Sequence, residues 1–146
     1  TMIEEQIKVT GSLKLTVTNP EGDVKQEVEV PNVVVTAGKN FIADRLKNNT
    51  TVMSHMAIGT NTGSAGVGNT ALGAETGRVS LTSTNVTNNA VAYVGSFPAG
   101  TGTGAITEAG ILSASSGGTL LCRTVFSVIN KASGDTLGIT WTITVS

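Results

Sequence analysis

Thr136-Leu137-Gly138-Ile139-Thr140-Trp141-Thr142-Ile143-Thr144-Val145 is the stretch that decides the fold. Leu137, Ile139, Trp141, Ile143 and Val145 share one parity; Gly138, Thr140, Thr142 and Thr144 share the other. Side chains of an extended strand alternate between its two faces, so this spacing predicts a strand with one apolar face and one hydroxyl-bearing face. A helix would scatter the same five apolar residues around its axis. The Trp141 face is expected to lie in the core.

The same period recurs upstream. Leu13, Leu15 and Val17 alternate with Lys14, Thr16 and Thr18, and Asn19-Pro20-Glu21-Gly22 then reads as a tight turn. Val24, Gln26, Val28 and Val30 alternate with Lys25, Glu27 and Glu29 on the return, which predicts a hairpin with its charged face in water. Further strands are predicted over 53–58, 78–84, 89–97, 105–113 and 119–129, with Gly-, Ser- or Asn-rich spacers between the later ones. The one helical candidate begins at Thr36, read as its cap, and carries Phe41, Ile42, Arg45 and Leu46 until Asn48-Asn49-Thr50 stops it. Phe41 and Leu46 are expected on one face, plugging an open end of the core. The predicted fold is all-β: a two-sheet antiparallel sandwich, jelly-roll-like, of about eight strands with one short helix. Residues 1–146 form a single domain in this reading, with residues 1–8 as an N-terminal arm.

Composition narrows the function. Hydrophobic residues make up 39% of the 146-residue chain and charged residues only 13%, where about 25% is usual. Thr, Ser and Asn supply the polarity instead, and a net charge of −1 gives no basic field for nucleic-acid phosphates. A surface so poor in charge is weakly defended against self-association, which predicts a protein that works among neighbours. No apolar run reaches the roughly 18 residues of a membrane-spanning helix. Thr1-Met2-Ile3-Glu4-Glu5 lacks the basic and apolar regions of a signal peptide, so synthesis in a cytoplasm is expected.

Catalytic chemistry finds little to work with. The chain holds one histidine, His55, between Ser54 and Met56, and no His/Cys/carboxylate cluster at metal-ligand spacing. His55 as a base for a serine is outweighed by its reading as an ordinary strand residue. The single cysteine, Cys122, follows Leu120-Leu121 and reads as a buried small hydrophobe rather than a reactive thiol. Gly100-Thr101-Gly102-Thr103-Gly104 is not a phosphate-binding loop, because no lysine follows it. Four charges stand out in nearly uncharged surroundings: Glu75, Arg78, Glu108 and Arg123. Pairing with each other, inside the subunit or between subunits, is the expectation. The sequence thus predicts no catalytic residue, no metal, no cofactor and no enzyme. The functional surface is expected in residues 1–8 and in the long small-residue loop 59–73, which is unusual for a compact domain unless it contacts something.

A family resemblance enters here. The segments are Val33-Val34-Val35-Thr36-Ala37-Gly38-Lys39-Asn40-Phe41-Ile42-Ala43, Met56-Ala57-Ile58-Gly59-Thr60 and Thr70-Ala71-Leu72-Gly73-Ala74-Glu75 with Arg78. Phe97-Pro98-Ala99-Gly100-Thr101-Gly102, Ile106-Thr107-Glu108-Ala109-Gly110-Ile111 and Leu121-Cys122-Arg123-Thr124-Val125-Phe126 follow in order. This order resembles small β-structured virion proteins of tailed bacteriophages, both head decoration (cement) proteins and tail-fibre or tail-tip modules. The resemblance implies a homotrimer on the outer surface of the virion head, bound to the major capsid protein and clamping capsomers. The alternative it implies is a host-binding tail module. It supplies no catalytic residue.

Overall fold

The computed structural model describes residues 5–49 and 51–146. The chain forms β1 (Val9–Thr18), β2 (Val24–Pro31), β3 (Val33–Val34), α1 (Thr36–Arg45), β4 (His55–Gly59), β5 (Glu75–Ser80), β6 (Ser83–Thr87), β7 (Ala90–Phe97), β8 (Gly104–Leu112), β9 (Leu120–Lys131) and β10 (Thr136–Val145). Two antiparallel five-stranded sheets result, in the orders β2-β1-β10-β7-β6 and β3-β9-β8-β4-β5. The molecule is an all-β two-sheet sandwich, as the alternation predicts. Hairpins join β1 to β2, β4 to β5, β6 to β7 and β8 to β9.

β10 is the middle strand of the first sheet, and its alternation sets the inner face. Leu137, Ile139, Trp141 and Ile143 are all buried, while Thr140 on the opposite parity is exposed. Across the ladder Trp141 sits between Leu13 and Tyr93, so β1 and β7 present the same face. Met56, Ile58, Ile106, Ile111, Cys122, Phe126 and Ile129 close the core from the second sheet. Trp141 is fully buried, and its Nε1–H donates to Asn32 Oδ1 at 2.8 Å, which satisfies the indole where water cannot reach. Cys122 is buried as well, and burial pushes its thiol far up, as expected of an inert core cysteine.

The middle of the second sheet is covered on both faces. From Ile106 to Leu112 on β8, and from Leu120 to Thr124 on β9, every residue is buried regardless of parity. One face meets the sandwich core. The other meets the segment between β4 and β5, whose Leu72 packs with Val35, Ala57, Leu112 and Leu120 in a second small cluster. Gly110 lies beneath it: a Cβ there would stand 2.6 Å from Leu72 Cδ1, so this position tolerates no side chain without displacing the cover.

Three expectations change. The strand predicted over 78–84 is two strands, β5 and β6, because the chain leaves one sheet after Ser80 and joins the other at Ser83. Alternation continues through the crossing, so the sequence carries no mark of it. Thr36 is not the helix cap: Val35 holds that position with no side-chain cap, and the Thr36 N–H donates to Val67 O instead. Leu46 does not plug the core. It is 89% exposed, whereas Phe41 and Ile42 pack against the core. Of the arm, residues 1–4 lie outside the described residues, Glu5 to Ile7 are irregular and exposed, and Lys8 already exchanges backbone hydrogen bonds with Ser146.

Trp141→Ala should lower unfolding stability by about 3–5 kcal/mol, the range for removing a buried aromatic. Trp141→Phe should lose about 1–3 kcal/mol, because it keeps most of the volume but strips Asn32 of its donor. Urea titration followed by circular dichroism measures both.

Candidate functional site

The segment between Gly59 and Glu75 is long, rich in small residues and free of charge, yet it is held in one place. Its base is closed by Thr60 N–H donating to Ala74 O at 3.0 Å. Beneath it, Glu108 on β8 and Arg123 on β9 are 0% and 3% exposed, and Arg123 Nε lies 3.0 Å from Glu108 Oε1. Glu108 also accepts the backbone N–H groups of Asn61, Gly73 and Ala74, at 3.0, 2.8 and 2.7 Å. Its carboxylate therefore takes four hydrogen bonds and leaves no charge unmatched. Arg123 reaches the other way. Its two terminal nitrogens donate to Asn69 Oδ1 at 3.1 Å, Gly63 O at 3.2 Å, Asn61 Oδ1 at 3.3 Å and Ser64 O at 3.4 Å.

Strand register explains why these two residues meet. Arg123 pairs with Gly110, two residues from Glu108 on the same face of the sheet, and a register shift between Ile106 and Glu108 adjusts the approach. Thr107 adds Oγ1–H to Asn61 O at 2.8 Å. Asn61 and Asn69 complete local turns, their Oδ1 atoms accepting from Gly63 N–H and Gly66 N–H. Gly73 is required by closeness: any Cβ there would run into the Asn61 side chain. The outward residues, Thr62, Gly63, Ser64, Val67, Gly68, Thr70 and Ala71, are exposed and uncharged. The result is a compact loop seated on the buried charges of β8 and β9, with a small-residue relief outside.

The expected pairing of the four isolated charges is present, and both pairs lie within the subunit. Glu75 and Arg78 form a bidentate pair at 2.6 and 2.9 Å, and Arg78 also donates to Ala114 O and Gly117 O. Loop 59–73 is ordered where the sequence expects a contact surface. Asn61 and Asn69 carry no distinct signal in the sequence, because an asparagine in a Gly-rich stretch looks like any turn residue until its acceptor is seen facing Arg123. Lys131 and Asp135 carry none either. Lys131 is 1% exposed and donates to Pro98 O at 2.9 Å, and the 2%-exposed Asp135 accepts from Lys25 at 2.6 Å.

His55 lies half-buried in β4, with Ser54 Oγ 2.7 Å from Nδ1 and Ser80 Oγ 3.4 Å from Nε2. Among the described residues both ring nitrogens meet serine hydroxyls, and no carboxylate is hydrogen-bonded to either as in a Ser-His-Asp triad. Among the described residues, no three His, Cys, Asp or Glu side chains stand close enough to hold a metal. An open groove of about 510 Å³ is lined by Ile7, Lys8, Val9, Thr10, Lys39 and Ile42, with no carboxylate or histidine among them to act as a base. Comparison with protein-family models, with curated proteins and with solved structures finds no match to this chain.

Burial alone pushes the Glu108 carboxyl up. The N–H groups of Gly73, Ala74 and Asn61 and the Arg123 guanidinium outweigh it and hold the group below the ordinary carboxylate value. A carboxyl with a depressed folded value stabilises the fold fully above its unfolded value, and that contribution disappears as pH falls through the folded one. Unfolding stability should therefore drop on acidification below the ordinary carboxylate range, and Glu108→Gln should flatten that dependence in urea titrations across pH. Arg123→Ala should cost about 3–5 kcal/mol at neutral pH, because it leaves a buried carboxylate without its cation.

Proposed function

We propose that this protein is a bacteriophage head decoration protein, which binds the outer surface of the capsid and reinforces the contacts between capsomers. In this reading its partners are the major capsid protein and copies of itself, assembled as a homotrimer on the shell, and it performs no chemistry. The observation that carries the proposal is the loop between β4 and β5. A segment of that length would lose much conformational entropy on docking if it were loose. Here the Glu108–Arg123 pair has already fixed it, so its exposed Thr, Ser, Gly and Ala residues form a pre-shaped surface. Broad contact with a regular shell needs such a surface and needs neither a pocket nor a metal.

The alternative, a host-binding tail module, draws less support. Sugar-binding surfaces favour exposed aromatic rings beside polar groups. Trp141, Phe97 and Phe126 are buried, and Phe41 and Tyr93 are packed against the core.

A reinforcing protein that binds only the assembled shell raises its stability by mass action. Particles lacking the protein should open at lower temperature, or under milder osmotic shock, while adsorbing to cells at the normal rate. Equal robustness with collapsed adsorption would favour the tail module instead. Arg123→Met should weaken attachment to heads even where the isolated protein remains folded, because the loop is then no longer pre-shaped.

A further inference from the structure

The two sheets present four edge strands, and three of them are defended against further pairing. β2 carries Lys25, Glu27 and Glu29, with Glu27 bridged to Lys14 at 2.9 Å. β5 carries the Glu75–Arg78 pair, and β3 is only two residues long. Charge and shortness are the usual devices that keep a sheet edge from recruiting another strand. β6 has neither. Its sequence is Ser83-Thr84-Asn85-Val86-Thr87, the last four residues are exposed, and no charged residue occurs anywhere between Arg78 and Glu108.

Beside that edge the core is left open. Val86 pairs with Val91, and Val91 pairs with the buried Ile143, so Val86 lies on the inner face of its sheet. It is nevertheless 73% exposed. The sheet overhangs here, and a groove of about 330 Å³ runs beneath it, lined by Phe41, Val52, Met53, Val91 and Tyr93 among others. Val52 and the nearby Leu46, at 58% and 89% exposed, extend the apolar ground. Arg45, at the rim, is turned onto Asn49 Oδ1 and Thr51 O at 2.7 and 2.9 Å, so those hydrogen bonds hold its guanidinium locally.

We infer that β6 is a self-pairing edge, taken up by β6 of a second copy in an antiparallel, two-fold contact centred on Asn85. An uncharged edge meets its own image without repulsion, whereas β2 and β5 carry charged side chains that a second strand would have to accommodate. The centred register puts Thr84 opposite the partner's Val86, so each Val86 is delivered to the other copy's open groove. Main-chain hydrogen bonds extend the five-stranded sheet into a ten-stranded one, and the side chains of β6 cover the overhang. An isologous contact closes on two copies, so it joins free subunits in pairs and, on a shell, links subunits of neighbouring trimers. The inference does not depend on the capsid reading.

The test uses the purified full chain. Sedimentation at micromolar concentration should show a dimer or an even multiple, and Val86→Lys should weaken association at least tenfold while leaving the circular dichroism spectrum unchanged. Directly opposed residues in an antiparallel pair have Cα atoms about 4.5–5.5 Å apart. That lies within the span a disulfide accepts. Asn85→Cys should therefore give a covalent dimer under mild oxidation, with the buried Cys122 not competing, and Glu27→Cys on the defended edge should not. A monomeric parent, a lone trimer, or crosslinking at Glu27→Cys but not at Asn85→Cys would each overturn the proposal. A monomeric parent whose Val86→Lys variant no longer binds heads would assign the edge to a strand of the capsid and overturn it too.

Discussion

A buried carboxylate and a buried guanidinium on neighbouring strands set the terms for the rest of this molecule. Neither Glu108 nor Arg123 can be left dry and unpaired without a penalty of several kcal/mol. Their mutual contact satisfies only part of each. The remaining donors and acceptors have to come from somewhere, and the loop between β4 and β5 supplies them through Asn61, Gly63, Ser64, Asn69, Gly73 and Ala74. The ion pair thus acts less as a bond between two strands than as a template on which the loop takes its shape. Burying ions in this way adds little net stability, because desolvation consumes most of the Coulomb gain, but it penalises every loop conformation that leaves a donor unmet.

That arrangement gives the second sheet a character unlike the first. An antiparallel sheet commonly keeps one face wet, and its strands alternate apolar with polar residues. β10 and β1 obey this, and so their strands could be read directly from sequence, including the core-facing residues up to Ile143; Val145, on the same face, is 40% exposed at the strand's end. β8 and β9 do not, because loop and helix cover their outer side. Ala109-Gly110-Ile111-Leu112 and Leu120-Leu121-Cys122 are continuous apolar runs for that reason. The second small cluster, built on Leu72, is the apolar half of the same cover.

Legibility in the sequence follows the same division. The alternation in 136–145 and 13–18 was sufficient for the two-sheet sandwich, since one-sided burial writes its period into the residues. That Glu75, Arg78, Glu108 and Arg123 pair among themselves was legible because charges are scarce enough here for isolation to imply a partner, but which pairs with which was not. What escaped was whatever depends on a third dimension alone. The passage from β5 to β6 changes sheets without interrupting the alternation, so two strands read as one. Leu46 fits a helical period but stands one residue beyond the helix, where the chain turns to solvent. Asn61 and Asn69 gain meaning only from the arginine beneath them.

The pairing of Val9 with Val145 has a consequence for how the chain reaches this structure. β10 lies between β1 and β7, so the first sheet consists of two unconnected hairpins until its middle strand arrives. A nascent chain can form β1–β2 and β6–β7 early, but neither hairpin is stable alone in water. Closing the sheet requires bringing together residues separated by nearly the whole chain, which places the protein among slow, high-contact-order folders that form in milliseconds to seconds. The second sheet makes a shorter return, from Val33 on β3 to Arg123 on β9, and its pairings are complete once β9 has been made. On a ribosome, then, every strand of the half that carries the loop is made before β10, the strand that joins the two hairpins of the half that carries the open edge.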